Sequence, residues 1–193
     1  NKSNLLSILL VIFIIISFFL VFYFDETATN GYVDLNWIKN NISIFLNNSL
    51  FDSISHPEYF GNRSPLMYIL HVYLNPFLEN IYYYRVSVFL FSLLGPYFFY
   101  LCLKLKYFQE NKITLILIST LILLSPYYRS SAFWGLEENY AIIFTLISFL
   151  SLQFFFKNDQ NKILNSYLLI IIISVSSSAC IYFDQKYLLI PLI

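Results

Sequence analysis

Of the 193 residues, 59% are apolar, 21% aromatic and only 11% charged, against about 25% charged in an ordinary soluble domain. The formal net charge is zero, so the chain has no basic footprint for nucleic acid. Long uncharged apolar runs predict an all-α, polytopic transmembrane protein.

In chain order, residues 5–24 are the first apolar run, matching the roughly 20 residues a helix needs to cross a bilayer. The run is too long for the apolar part of a signal peptide, and no small-residue cleavage site follows it. It ends at two adjacent acids, Asp25 and Glu26. Residues 25–84 then form a long first loop predicted to carry juxtamembrane helices. Within 34–48, Leu35, Ile38, Ile42 and Phe45 recur at three- and four-residue spacing with Asn and Lys opposite. That pattern predicts an amphipathic helix lying along the membrane surface, with Trp37 near one end. An ordinary surface helix of a loop subdomain is the alternative.

The stretch 55–68, "SHPEYFGNRSPLMY", gathers His56, two prolines, a glycine and Arg63 just ahead of an apolar run at 65–78. As a helix, fourteen residues cover only about 21 Å, so this run reads as interfacial and not spanning. Further spans are expected at 86–103, 113–128, 140–156 and 167–183, with a sixth beginning at 187 and cut off at 193. The chain starts at Asn1 without a Met and ends inside an apolar run. It therefore reads as the N-terminal part of a single transmembrane module.

Charge placement sets the expected orientation. With 65–78 not crossing and the N-terminus in the cytoplasm, the cytoplasmic segments (Lys2, 104–112 and 157–162) hold six lysines and two acids. The outer side holds the other nine acids and all three arginines. This satisfies the positive-inside rule, which a crossing at 65–78 would break. Asp25, Glu26, His56, Arg63, Arg85, Arg129, Glu137, Glu138 and Lys186 then share the outer face. Cys102 and Cys180 sit in apolar runs without metal-ligand spacing and read as small core filler.

Each of these residues has an ordinary reading. Acids at a span end are commonly just solvated. Arg63 and Arg85 suit interfacial anchors, and His56 a locally bonded loop histidine. Pro126 ends one helix, and Glu137-Glu138 suit the N-terminus of the next through the helix dipole. Asp184 and Lys186 suit a local ion pair. Taken together, Arg129, Trp134 and two acids in one outer loop form a polar and aromatic cluster of the kind that binds sugar. An arginine at the membrane edge can hold phosphate with several donors.

The order of the pieces resembles a known family. An acidic pair follows the first span, then a surface helix, then Tyr59-Phe60-Gly61-Asn62-Arg63-Ser64-Pro65-Leu66-Met67-Tyr68. A span opens at Arg85, and a span ending in Pro126 leads to an acid-bearing outer loop. This resembles the GT-C glycosyltransferases of the group of protein O-mannosyltransferases and lipid A aminoarabinose transferases (glycosyltransferase family 39-like), over nearly the whole chain. The family often has Pro-Pro-Leu where this chain has Ser64-Pro65-Leu66, and Asp where it has Glu137 or Glu138.

The resemblance implies a GT-C-like fold and sugar transfer from a polyprenyl-phosphate donor to a lipid, glycan or protein acceptor. The setting would be the outer face of a bacterial inner membrane, in cell-envelope assembly. It implies Asp25, with Glu26, as catalytic base or metal ligand. Arg63, Arg85 and Arg129 would bind the donor phosphate. His56, Tyr59, Trp134, Glu137, Glu138 and Lys186 would bind substrate. A divalent cation, Mg or Mn, held by the acids is an alternative to arginine for stabilising the departing phosphate; the sequence specifies no ligand set for it. A transporter or flippase, or a non-catalytic envelope-assembly protein, is the competing class. Transporters usually keep ionisable groups near the midplane, whereas here the charges gather at the span ends.

Overall fold

The structure is a computed structural model describing residues 2–24, 31–59, 65–107, 111–157 and 163–188, all helices and their connections. In chain order the helices are α1 (Lys2–Phe24), α2 (Gly31–Asn47), α3 (Leu50–Ile54), α4 (Leu66–Leu74) and α5 (Ile81–Ser92), followed by α6 (Leu94–Lys106), α7 (Lys112–Thr120), α8 (Pro126–Trp134), α9 (Glu138–Lys157) and α10 (Ile163–Phe183). Among the described residues, four segments are long and apolar enough to cross a membrane: 4–24, 81–106, 138–157 and 165–183. A bent pair, 112–124 with 126–134, makes a fifth if counted as one span.

The two ends of this bundle differ. At one, Asn111 Nδ2 donates to Asn4 Oδ1 at 2.7 Å, which joins the starts of α1 and α7. Lys157 donates to the Leu105 carbonyl there, joining the ends of α6 and α9. At the other, Phe22 of α1 stacks on Phe89 of α5 at 4.3 Å, and Phe183 of α10 stacks on Tyr140 of α9 at 5.3 Å. Helix α2 packs against α4 and against α8 at this second end. We call them the lysine end and the capped end.

The core beside the Phe22–Phe89 stack is aromatic. Phe18 is fully buried between Phe89 (4.9 Å) and Phe133 (5.1 Å). Such ring pairs are worth about 0.5–1.5 kcal/mol each beyond their buried area. Most other side chains of α1 are exposed apolar groups. A helix that is apolar all round and uncovered by protein suits lipid contact.

Three boundaries differ from the sequence reading. The second span starts earlier, at Ile81, and runs to Lys106 with one break at Leu93. The break has a chemical cause three residues further on. Pro96 has no N–H, so the Ser92 carbonyl loses its intrahelical donor. The Tyr128 hydroxyl donates to that carbonyl instead. It can reach because residue 95 is glycine: a Cβ there would lie 2.0 Å from the Tyr128 oxygen.

The span expected at 113–128 is a helix, a 3₁₀ turn at Leu121–Leu124 and a 68° bend into α8. Proline at 126 biases Ser125 to extended backbone, and it opens α8 where its missing N–H costs nothing. At the end of the described chain, Gln185–Tyr187 is a 3₁₀ turn. The sixth span expected from 187 otherwise lies outside the described residues.

The amphipathic stripe of α2 is also used differently. Leu35, Ile38, Ile42 and Phe45 are all buried, against α4 and α8. The stripe faces protein, while Tyr32, Val33, Trp37 and Leu46 face outward. Helix α4 has nine residues and spans only about 13 Å. Asn75 leaves it in extended backbone just before Pro76.

Candidate functional site at the capped end

The polar groups of the capped end form one cluster around the turn after α8 and a second at Tyr127, Asp184 and Lys186, just past the end of α10. Gly135 closes that helix at φ 71°, in the left-handed region where a side chain is strained. The Gly135 carbonyl accepts from the Tyr84 hydroxyl at 2.8 Å, and Tyr84 is fully buried. A Cβ at 135 would also meet the Tyr84 ring at 2.6 Å. The turn delivers Glu137, only 9% exposed, toward Tyr59 and Tyr68. Burial first, then Tyr68 and Glu137, push the Tyr59 hydroxyl up to about 12. Tyr59 packs edge-on against Phe45 (5.5 Å) and Tyr68 (6.1 Å). Asn41 Nδ2 donates to the Tyr68 hydroxyl at 3.0 Å.

Arg85 follows Tyr84 on α5 and reaches the other side of the same turn. Its Nε donates to the Phe133 carbonyl at 2.8 Å. Its guanidinium lies over the Trp134 ring at 4.6 Å and the Phe22 ring at 5.4 Å. Thus Tyr59, Arg85, Trp134 and Glu137, expected from sequence to share a site, meet around one turn.

Beneath them lies a group that sequence reasoning did not assign to the site. His71 is buried, with Nδ1 3.0 Å from Asn75 Nδ2 and Nε2 3.1 Å from the Tyr140 hydroxyl. Asn75 Oδ1 accepts from Phe77 N, which orients the amide so that Nδ2 donates to His71 and to Ser87 Oγ (2.8 Å). A neutral imidazole that accepts at Nδ1 must carry its proton on Nε2, facing Tyr140. Burial holds the ring neutral, with its pKa lowered to about 4. The signal available in sequence was the i, i+4 spacing of His71 and Asn75 in a short apolar helix ending at Pro76. Tyr84 and Tyr140, at the starts of later spans, carried no such mark.

His71, Asn75, Ser87 and Tyr140 form the polar wall of a cavity of about 460 Å³ between α4, α5 and α9. Its other walls are apolar, with Leu70, Leu74, Phe91 and Phe144 among them.

The remaining expected site residues are elsewhere. Arg129 donates to the Leu123 carbonyl at 2.5 Å and to Ser17 Oγ at 3.0 Å, which ties the bend to α1. His56 Nδ1 accepts from Glu58 N at 3.2 Å, a local turn bond. Lys186 pairs with Asp184 at 3.5 Å and donates to the Tyr127 hydroxyl at 3.0 Å. That hydroxyl donates to Asp184 at 2.8 Å. Glu138 faces this second cluster. Its charge contributes to raising Tyr187 to about 12, after burial, Asp184 and Cys180. Asp25, Glu26 and Arg63 lie outside the described residues. Among the described residues, no three of His, Cys, Asp and Glu come together as a metal site.

No family model matches this chain, and no curated protein or solved structure is significantly similar to it.

Proposed function

We propose that the chain belongs to a membrane glycosyltransferase of GT-C type. It would move a sugar from a polyprenyl-phosphate donor to a lipid, glycan or protein acceptor at the outer face of a bacterial inner membrane. The observation that carries this reading is convergence at the capped end. Arg85 lies over Phe22 and Trp134, and Glu137 acts on Tyr59. Phe22 and Tyr59 flank in sequence the acids Asp25-Glu26 and the basic Arg63. Stretches far apart in the chain thus bring carboxylate, guanidinium and aromatic groups to one membrane-proximal rim. The apolar cavity beside it, about 460 Å³, suits the start of an isoprenoid chain.

In this mechanism the acceptor oxygen attacks the anomeric carbon while its proton passes to the Asp25 carboxylate. The bond from anomeric carbon to phosphate oxygen breaks, and its electron pair leaves on the polyprenyl phosphate. Arg63, with Arg85, offsets that charge. Trp134 and Tyr59 offer ring faces to the sugar, and Glu137 accepts from its hydroxyls. A single displacement inverts the anomeric centre. A divalent cation, Mg or Mn, would be held by the acids and would offset charge on the departing phosphate; no step here depends on it.

The test is sugar transfer by the full-length gene product in membranes, at equal expression, for wild type, Asp25→Asn and Glu137→Gln. Loss of most transfer in Asp25→Asn, with a weaker defect in Glu137→Gln, is the expected result. Transfer unchanged in both keeps the enzyme and rejects this site. Wild-type membranes that transfer no sugar from any polyprenyl-phosphate donor favour the transporter or flippase reading.

A further inference from the structure

The lysine end carries a second feature, independent of the proposed transfer. Helices α6, α7 and α9 enclose a cleft of about 320 Å³ with Lys104, Lys112 and Lys157 among its lining. Its apolar walls include Leu105, Leu115, Leu150 and Phe154, and none of its described lining residues is acidic. Among the described residues none of the three lysines has an ion-pair partner.

The helix dipole accounts for only part of this. Lys104 and Lys157 lie in the last turns of α6 and α9, where a cation is favoured. Lys112 opens α7, where a cation is disfavoured. Three like charges around one cleft repel one another unless an anion joins them. Lys157 is also held at the cleft by its bond to the Leu105 carbonyl.

We propose that this cleft binds one anionic phospholipid, its phosphate among the three lysines and the upper part of an acyl chain against the leucines and Phe154. Two features favour a lipid over free phosphate. The cleft is walled mainly by hydrocarbon, and α6 and α9 belong to segments long and apolar enough to cross a bilayer. Basic pockets between spans at the cytoplasmic surface characteristically hold anionic headgroups. The positive-inside rule puts this end in the cytoplasm.

The experiment reconstitutes the full chain in phosphatidylcholine vesicles containing phosphatidylglycerol, extracts it gently and counts retained lipids by mass spectrometry of the intact complex. Wild type should retain one phosphatidylglycerol in preference to phosphatidylcholine. Replacing all three lysines by glutamine should lower that retention about tenfold or more, whereas replacing them by arginine should preserve it. Leu115→Trp, which fills the cleft without touching charge, should also lower it. Inorganic phosphate should not displace the lipid. Equal retention by wild type and the glutamine variant, equal retention of the two lipids, or displacement by inorganic phosphate would each overturn the proposal.

Discussion

His71 and Tyr140 are separated by 69 positions in sequence, yet His71 Nε2 and the Tyr140 hydroxyl lie 3.1 Å apart. The contact joins the short helix α4 to the start of a membrane-length helix. The Asn75 amide, donating to Nδ1, leaves the imidazole proton on Nε2, facing that hydroxyl.

The burial of His71 makes stability depend on pH with a definite sign. The folded pKa of His71 is about 4 against an ordinary 6.5. Below 6.5 the unfolded chain takes up a proton that the folded chain refuses. The stability is therefore fully present above 6.5, and it is lost as pH falls toward 4. By pH 5 the loss should reach roughly 2 kcal/mol. Thermal unfolding in detergent at pH 7.5 and pH 5 measures it. His71→Gln, which cannot titrate, should flatten the difference; an unchanged difference in that variant would remove His71 as its source.

Gly95 and Tyr128 should behave as one unit. A Cβ at 95 meets the Tyr128 hydroxyl oxygen at 2.0 Å, so Gly95→Ala should destabilise by about 1–3 kcal/mol. Tyr128→Phe should cost about 1–3 kcal/mol by leaving the Ser92 carbonyl without a donor. The double variant should cost less than the sum, because the alanine no longer meets a hydroxyl. Strict additivity of the two unfolding free energies would reject the coupling.

Arg85 combines a backbone bond to Phe133 with stacking on Trp134 and Phe22. Lysine keeps the charge but has no planar fork with which to do both. Arg85→Lys should therefore lower stability by about 1–2 kcal/mol and reduce transfer in the same membranes. Wild-type stability in Arg85→Lys would show that charge alone suffices there.

The two ends of the bundle should lie on opposite sides of a membrane. Residues 81–106 number 26, about 39 Å of helix. Glu79 and Lys106 are exposed just beyond one end and at the other. Both native cysteines are buried, so single replacements Glu79→Cys and Lys106→Cys can be read by an impermeant maleimide on sealed vesicles. Opposite sidedness is expected. Labelling of both from one side would mean that 81–106 enters and returns.

The sequence alone determined the class of this protein and the approximate course of its chain. Uncharged runs near twenty residues mark membrane-length helices, because a bilayer leaves backbone groups no other partner. The alternating stripe at Leu35, Ile38, Ile42 and Phe45 announced α2, and Pro126 announced a break, because both act within a few residues. Only the tertiary structure decided what those features face. The stripe meets α4 and α8, since neighbouring helices cover it before lipid can. The proline turns the chain by 68° into a separate helix. His71 meets the Tyr84 ring at 4.9 Å and the Tyr140 hydroxyl at 3.1 Å because three helices carry them to one place. Periodicity reports which face of a helix is apolar; partners far along the chain decide what that face, and each polar group within it, will touch.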